Sequence, residues 1–392
     1  MHRYAALVLL LCAIAAVPRH VQTADYLGSP YGSTSVTPGQ AAPYLTWAQV
    51  AVPEANAVAA AGIKTQYYID PGLTIANRGD QMYTSDESTF AHDCLGRRIA
   101  IPYRNLTENV MALEQPSMHA VFERWVRRVT RAVHYDALFE DDATPPSEYL
   151  QFRLMPCRYS DETWLNGLDA LNHRSPIPVI INGLNASKRP EPSALLRLVA
   201  SDKTLGLNYE YCYSSSTQPM MPDTIWQAME NSELRVTAAG KMFECMARNT
   251  SPAATSAPAR TYVYASFLLS YDPATSVLWD EFETPSKMHV EPETGLVALN
   301  PVSSAPADIG GLRTSGGTYA RQYRNCYLGG EPVGACAAVV NPDRSAHPFP
   351  YGGYRRTLAL RGGGVFDGGT ASVAGAPPPN IVPPLSAVIA FR

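Results

Sequence analysis

Asp136-Ala137-Leu138-Phe139-Glu140-Asp141-Asp142-Ala143 is the stretch on which the fold turns: a short apolar run passes directly into three consecutive carboxylates. A short run of this kind, bounded by polar residues, reads as a strand buried on both faces. Before it, residues from about Ser117 to Val133 place Val121, Trp125, Val129 and Val133 on one helical face. After it, a helix over about Asp161 to Leu171 leads to Ile177-Pro178-Val179-Ile180-Ile181, a buried-type strand ending in Asn182-Gly183. Ser193 to Val199 reads as helix and leads to Leu205–Tyr209, ending in Glu210; Thr224 to Ala239 is helical again and Lys241 to Met246 a strand. Upstream, Trp47 to Ala61 is Ala-rich and helix-compatible. It stops at Gly62 and gives way to the strand Ile63–Ile69, which ends in Asp70-Pro71-Gly72.

Strand and helix therefore alternate at least four times, in units too long for hairpins, so the strands are expected to be parallel with crossover helices. A closed barrel and an open doubly wound sheet both satisfy that pattern. Polar residues at several successive strand ends favour the barrel, whose functional groups come from many strands at one face. The expected fold class is α/β, a TIM (β/α)8-type barrel with a small C-terminal β-rich module. After about Pro301 Gly and Pro rise and helical periodicity ends. Strand-like runs follow at Tyr319–Tyr323, Ala335–Val340, Arg356–Leu360 and Ser386–Phe391. Whether the first of these closes the barrel is open at this level.

The chain begins with His2 and Arg3, an apolar run from Tyr4 to Val17, Pro18 and a polar stretch to Ala24, which has the form of a secretory leader. The run falls short of the ~20 residues that a spanning helix needs, so no stable membrane anchor is expected. The expected organisation is residues 1–24 signal peptide, 25–43 linker, 44–310 barrel and 311–392 β-rich module. The location is extracellular or periplasmic. The chain carries 31 basic against 35 acidic residues, and no basic block offers the phosphate-neutralising face that nucleic-acid binding requires.

Six cysteines lie beyond the leader, an even number that suits disulfides in an exported chain. Cys326 and Cys336 flank the turn-like Leu328–Pro332 and can close a hairpin locally. Cys212 pairs with Cys245, and Cys94 with Cys157, if they lie on neighbouring strand ends. There is no Cys-x-x-Cys and no pair of His at ligand spacing, so no metal or organic cofactor is expected. Gly-x-Ser-x-Gly, a phosphate-binding loop and His-Glu-x-x-His are also absent. Asn105-Leu-Thr, Asn185-Ala-Ser and Asn249-Thr-Ser match glycosylation acceptors.

The stretch Asp136–Ala143 resembles the "Asp-Gly-(apolar)-Phe-x-Asp-Asn/Asp" strand end of an extracellular glycoside-hydrolase-like barrel family, similar to the polygalactosaminidase-like barrels. Val179–Gly183, Asn208-Tyr209-Glu210, Tyr319-x-Arg321-x-Tyr323 through Val339-Val340-Asn341-Pro342, and Leu385 to Phe391 resemble later parts of the same pattern in order. The resemblance spans roughly residues 60 to 392. Ala137 stands where the family has Gly, and the acidic trio blurs which carboxylate takes the family's Asp position; by register it is Asp141. The resemblance implies a barrel fold, a carbohydrate substrate and a Glu in the sugar site at Glu210.

Glycosidic cleavage needs one carboxylic acid to protonate the leaving oxygen and a second carboxylate as nucleophile or base. Asp141 and Glu210 are the candidate catalytic pair, with Glu210 as acid. The order of roles is finely balanced, and Glu210 has a competing reading as a loop acid paired with Arg158 or Arg260. Asp70, Glu140, Asp142, Asn182, Tyr209, Tyr211 and Trp164 are the candidate substrate-binding residues. The carboxylates and the amide would take sugar hydroxyls, and the rings would stack on sugar faces. Each has an ordinary alternative: a turn signal at Asp70-Pro71-Gly72, a solvated helix cap in the trio, core filling for the rings. His92-Asp93 is a weaker pair. Two other functions fit the same pattern, a non-catalytic carbohydrate-binding barrel and a structural or envelope protein using the β-rich module to bind a partner.

Overall fold

The computed structural model describes residues 17–27, 36–75, 86–103, 106–143, 161–183, 193–215, 218–248, 256–281 and 290–392. Eight parallel strands close a barrel: β1 (Gln22–Tyr26), β2 (Trp47–Gln49), β3 (Lys64–Ile69), β4 (Ala137–Glu140), β5 (Val179–Asn182), β6 (Thr204–Glu210), β7 (Met242–Arg248) and β8 (Ser276–Glu281). Each strand pairs with its sequence neighbours, and β1 closes on β8 through Gln22–Val277 and Thr23–Leu278. The helices between them are α1 (Pro38–Ala41), α2 (Val52–Ala60), α3 (Pro116–Ala132), α4 (Asp161–Asn172), α5 (Ser193–Ala200), α6 (Asp223–Ala238) and α7 (Ala257–Ser270). The expected TIM-type barrel is what forms.

Three strands differ from the sequence reading. Trp47–Gln49 is not helix but β2, and only Val52–Ala60 of that stretch is helical. Trp47-Ala48-Gln49 is too short to show a strand pattern of its own ahead of the Ala-rich helix; its pairing with β1 on one side and β3 on the other decides the matter. Gln22–Tyr26 is β1, so the first barrel strand crosses the expected boundary between leader and linker at Ala24. β8 precedes the Gly- and Pro-rich texture, so none of the later runs closes the barrel. Between β3 and α3 sits an antiparallel insert of Leu73–Ile75, Leu106–Val110 and Ala100–Tyr103 that the sequence reading did not anticipate.

The C-terminal module is a sheet of β9 (Leu296–Pro301), β10 (Tyr319–Leu328), β11 (Glu331–Asn341), β12 (Arg356–Arg361), β13 (Thr370–Ala374) and β14 (Ser386–Phe391), in the order β9-β10-β11-β14-β12-β13. It begins at Leu296, before the expected boundary of 311. All its pairings are antiparallel. The module packs on α7, which is buried on nearly every side and mainly apolar, as suits a helix held between two layers. Tyr319, Tyr323, Val340, Ile389 and Phe391 share one core with Trp226 of α6 and Tyr262 and Leu268 of α7. Arg321 of β10 donates to the Leu269 and Tyr271 carbonyls at 2.9 and 3.1 Å, satisfying the C-terminal end of α7. Arg260 of α7 forms a buried triad with Glu291, at 2.7 Å, and Glu293, and donates to the Gly362 carbonyl.

Disulfides join Cys326 to Cys336 around the turn that they flank, and Cys212 to Cys245, which do lie on the neighbouring strands β6 and β7 or just beyond them. Cys94 is disulfide-bonded as well, and Cys157, its expected partner, lies outside the described residues.

Candidate active site

Side-chain parity along the strands sorts the lumen from the outer layer. Ala24, Trp47, Ala137, Phe139, Ile180, Met242, Met246, Val277 and Trp279 pack together inside the barrel, with Tyr26 and Tyr68 against them. Asp141 follows Phe139 by two and so continues the inward face of β4. Asp70 does the same beyond Tyr68, Asn182 beyond Ile180, and Glu210 beyond Asn208.

Asp141 is held on three sides. The Tyr68 hydroxyl donates to its Oδ2 at 2.7 Å, the Asn182 amide donates to Oδ1 at 2.7 Å, and the Asp142 backbone N–H donates to Oδ1 at 2.9 Å. The Asn182 amide is itself oriented, because its own Oδ1 accepts from the Gly183 N–H at 2.8 Å. Asp141 also ties β4 to β3, its N–H donating to the Ile69 carbonyl at 2.9 Å. Donors on three sides fix the carboxylate in place.

Asp70 follows β3, the neighbouring strand. Burial, then the charges of Asp142 and Asp141, push its carboxyl well above the ordinary range; the Leu73 N–H, donating to Oδ1 at 2.8 Å, pulls the other way, and Glu108 of the insert adds to the rise. Burial raises the Tyr68 phenol likewise, followed by the charge of Asp141. Asp142 has a left-handed backbone, φ 49°, which Asp tolerates. Gly72 is closely packed: a Cβ there would lie 3.0 Å from the Trp164 ring and 3.3 Å from the Asp142 carbonyl.

Glu210 ends β6, two strands from Asp141, with Asn182 on the strand between; Asn182 and Asn208 are in register. Its surroundings are fastened by the Cys212–Cys245 bridge and by the Cys212 N–H donating to Met246 at 2.8 Å. Tyr211 and Tyr213 both have left-handed backbones, φ 66° and 58°. For a bulky residue this is strained, a cost that functional strand ends commonly carry. Tyr211, 38% exposed, stands at the rim. Arg260 is committed to Glu291 and Glu293, and Arg158 lies outside the described residues.

Three expected binding residues lie off the rim. Glu140, 0% exposed, shares the outward face of Leu138 and is buried beside Asn172 of α4. Among the described residues neither of its oxygens has a partner in hydrogen-bond geometry, and burial raises its carboxyl to about 8, with the adjacent Asn172 amide acting in the other direction. Tyr209, 5% exposed, points into the outer layer, with its ring tilted against Phe243 at 6.2 Å. Trp164, 3% exposed, fills the space beneath Gly72 and Asp142. His92 and Asp93 do not act together: His92 meets Glu87 at 2.8 Å, while Asp93 accepts from the Leu95 and Arg97 backbone.

The sequence reading missed a polar network inside the lumen. Glu244 of β7 accepts from the Gln66 amide and, at 3.2 Å, from the Asn208 amide, and burial raises it to about 7 against those two donors. Above it, Tyr26, Trp279, Phe139 and Tyr68 form a continuous aromatic series at centroid distances of 4.8, 5.8 and 6.3 Å. Polar residues at every second position, Gln66-Tyr68-Asp70 and Asn208-Glu210, were the available signal. Eight parallel strands thus enclose a mainly apolar lumen, with one polar layer at Gln66, Asn208 and Glu244, beneath an acidic rim.

The fold is a TIM barrel. The chain is similar in fold to the glycoside hydrolase domain of PelA from Pseudomonas aeruginosa, with 11% identity over 68% of this chain and 96% of that one, TM-score 0.45. It is similar to Aspergillus fumigatus Ega3, solved in complex with galactosamine, with 12% identity over 70% and 95%, TM-score 0.40. The GH36 α-galactosidase AgaA from Geobacillus stearothermophilus matches at 11% identity over 95% and 56%, TM-score 0.44. No family model and no curated protein sequence matches the chain.

Proposed function

We propose that the chain is a secreted glycoside hydrolase that cleaves a glycosidic bond in a poly- or oligosaccharide with a pair of carboxylates. Asp141 is the nucleophile or base and Glu210 the acid; Asp70, Asp142, Asn182 and Tyr211 border the sugar. The observation that carries the reading is the set of carboxylates on the inward faces of adjoining strand ends: Asp141, fixed by three donors, has Asn182 on the next strand and Glu210 one strand beyond. Two strand spacings come to roughly 10 Å between backbones. Side chains reaching inward from such strands close that gap toward the ~5–9.5 Å that paired glycosidase carboxyls occupy.

Asp70 supports a second assignment within the same chemistry. Its raised carboxyl is the property a general acid needs, and it lies on the strand next to Asp141. A polysaccharide panel with Asp141→Asn, Glu210→Gln and Asp70→Asn separates these. Loss of about 10²–10⁴-fold on Asp141→Asn and Glu210→Gln supports the proposed pair, and loss on Asp70→Asn with Glu210→Gln active moves the acid to Asp70. Activity that survives both Asp141→Asn and Glu210→Gln refutes the site, and glycan binding without hydrolysis gives the non-catalytic barrel. Export is supported by the leader, the disulfides and the lack of a spanning helix among the described residues. A leader exit at Ala13-Ile14-Ala15 leaves β1 whole.

A further inference from the structure

Helix α3 holds the barrel through Met118, Phe122, Val126 and Val129, and on its exposed side it carries Arg124, Arg127, Arg128 and Arg131. Spacings of three and four residues stack these guanidinium groups on one face. Together with Ala132 they line a shallow hollow of about 490 Å³. Among the described residues one carboxylate meets these arginines: Glu123 lies 2.9 Å from Arg127 and 3.9 Å from Arg174. Arg128 lies over the Trp125 ring at 4.2 Å, and Arg124 and Arg131 have no ion pair or hydrogen bond among the described residues. Like charges at these spacings oppose helix formation, and they gather here in a chain of net charge -4. The packing of α3 does not call for them.

We propose that this hollow is a second, non-catalytic site that binds an acidic polysaccharide through its carboxylate or sulfate groups. Guanidinium forks bind such groups in two-pronged fashion, and a row of them matches an anion repeated along a polymer. A lipid surface is disfavoured, because none of the exposed large apolar residues lies on α3, and a helix resting in a membrane interface needs an apolar face to insert. A single-stranded nucleic acid needs free rings on which to stack. The ring at hand, Trp125, is covered by Arg128 and tied through Nε1 to the Tyr67 hydroxyl at 3.1 Å. A helix that follows a parallel strand runs back along the barrel. The arginines occupy the second half of α3, so the polymer is held on the barrel's side, away from the Asp141 rim. The site therefore anchors the protein to a polyanionic matrix and does not feed the cleft.

The test is binding of the purified full chain to immobilised polygalacturonate. Dextran, a single-stranded oligonucleotide and phosphatidylglycerol vesicles serve as comparators. The expected result is retention on polygalacturonate but not dextran, weakening about tenfold or more as salt rises from about 50 to about 200 mM. The double change Arg124→Glu and Arg131→Glu weakens binding at least about tenfold, and Arg124→Lys with Arg131→Lys restores part of it. Asp141→Asn leaves it unchanged, which separates this site from the cleft. Both arginines are exposed, and an unaltered unfolding midpoint shows that the variants fold. No retention on polygalacturonate, equal retention of the Glu variant, or tighter binding to the oligonucleotide or the vesicles overturns the proposal.

Discussion

Replacing Glu140 with Gln should make the protein more stable at alkaline pH and leave it nearly unchanged at acid pH. Glu140 is fully enclosed between β4 and α4 with no partner in hydrogen-bond geometry on either oxygen among the described residues, and burial lifts its carboxyl from the ordinary 4.5 to about 8. In the unfolded chain the group loses its proton near 4.5. Between about 4.5 and 8 the folded state therefore binds more protons than the unfolded one, and stability falls as pH rises through that window. A shift of this size corresponds to on the order of 4 kcal/mol by the upper end of the window, a large part of the ~5–15 kcal/mol that holds a typical domain. Glutamine keeps the shape, never ionises, and offers an N–H₂ group to Asn172, whose amide oxygen is likewise buried without a partner. Urea unfolding of both proteins from about pH 4.5 to pH 9 reads the difference directly. The two curves should coincide at the acid end and separate by several kcal/mol above about pH 8, with Glu140→Gln the more stable. Parallel curves across the range would refute the assignment of a neutral, buried Glu140. Glu233 and Glu244, both raised to about 7 chiefly by burial, bend both curves equally and cancel in the difference.

Tyr68→Phe removes one of the three donors to Asp141 and should lower kcat about 10–100-fold with KM nearly constant, as for a hydrogen bond to a charged group. Steady-state kinetics on the substrate found by the polysaccharide screen measure it. Arg260→Ala strips the guanidinium that faces the buried carboxylates of Glu291 and Glu293 and should cost about 3–5 kcal/mol in denaturant unfolding.

The middle of the barrel was legible in the sequence because its elements are long or strongly patterned. β4 and β5 are continuous apolar runs, and α3 repeats its apolar face over four turns. β1, β2 and β8 were not. Gln22–Tyr26 alternates polar and small residues, Trp47–Gln49 is three residues at the head of an Ala-rich helix, and β1 meets its partner β8 some 250 positions away. Short strands of this kind are fixed by neighbours that no local window contains. The module's runs were visible because β-branched residues crowd β11 and β14, whereas its first strand, Leu296–Pro301, carries Asn and Pro at its end.

For the site, the sequence located strand ends, whereas function depends on which face of the strand each residue occupies. Glu140 and Asp141 are neighbours and chemically near-identical, yet a pleated strand sends them to opposite sides of the sheet. Asp141 joins Tyr68 and Asn182 at the mouth of the lumen; Glu140 joins Leu138 beneath α4. The same parity turns Tyr209 to the outer layer while leaving Asn208 and Glu210 on the inward face. Applied one layer deeper, it finds Gln66 and Glu244, which a reading of β3 and β7 as undivided apolar blocks passes over. Once β4 is anchored by Phe139 facing Trp279 inside the barrel, the ambiguity of the acidic trio resolves. One carboxylate faces the lumen, one is buried neutral in the wall, and the third, Asp142, turns the chain through a left-handed residue beside Asp70.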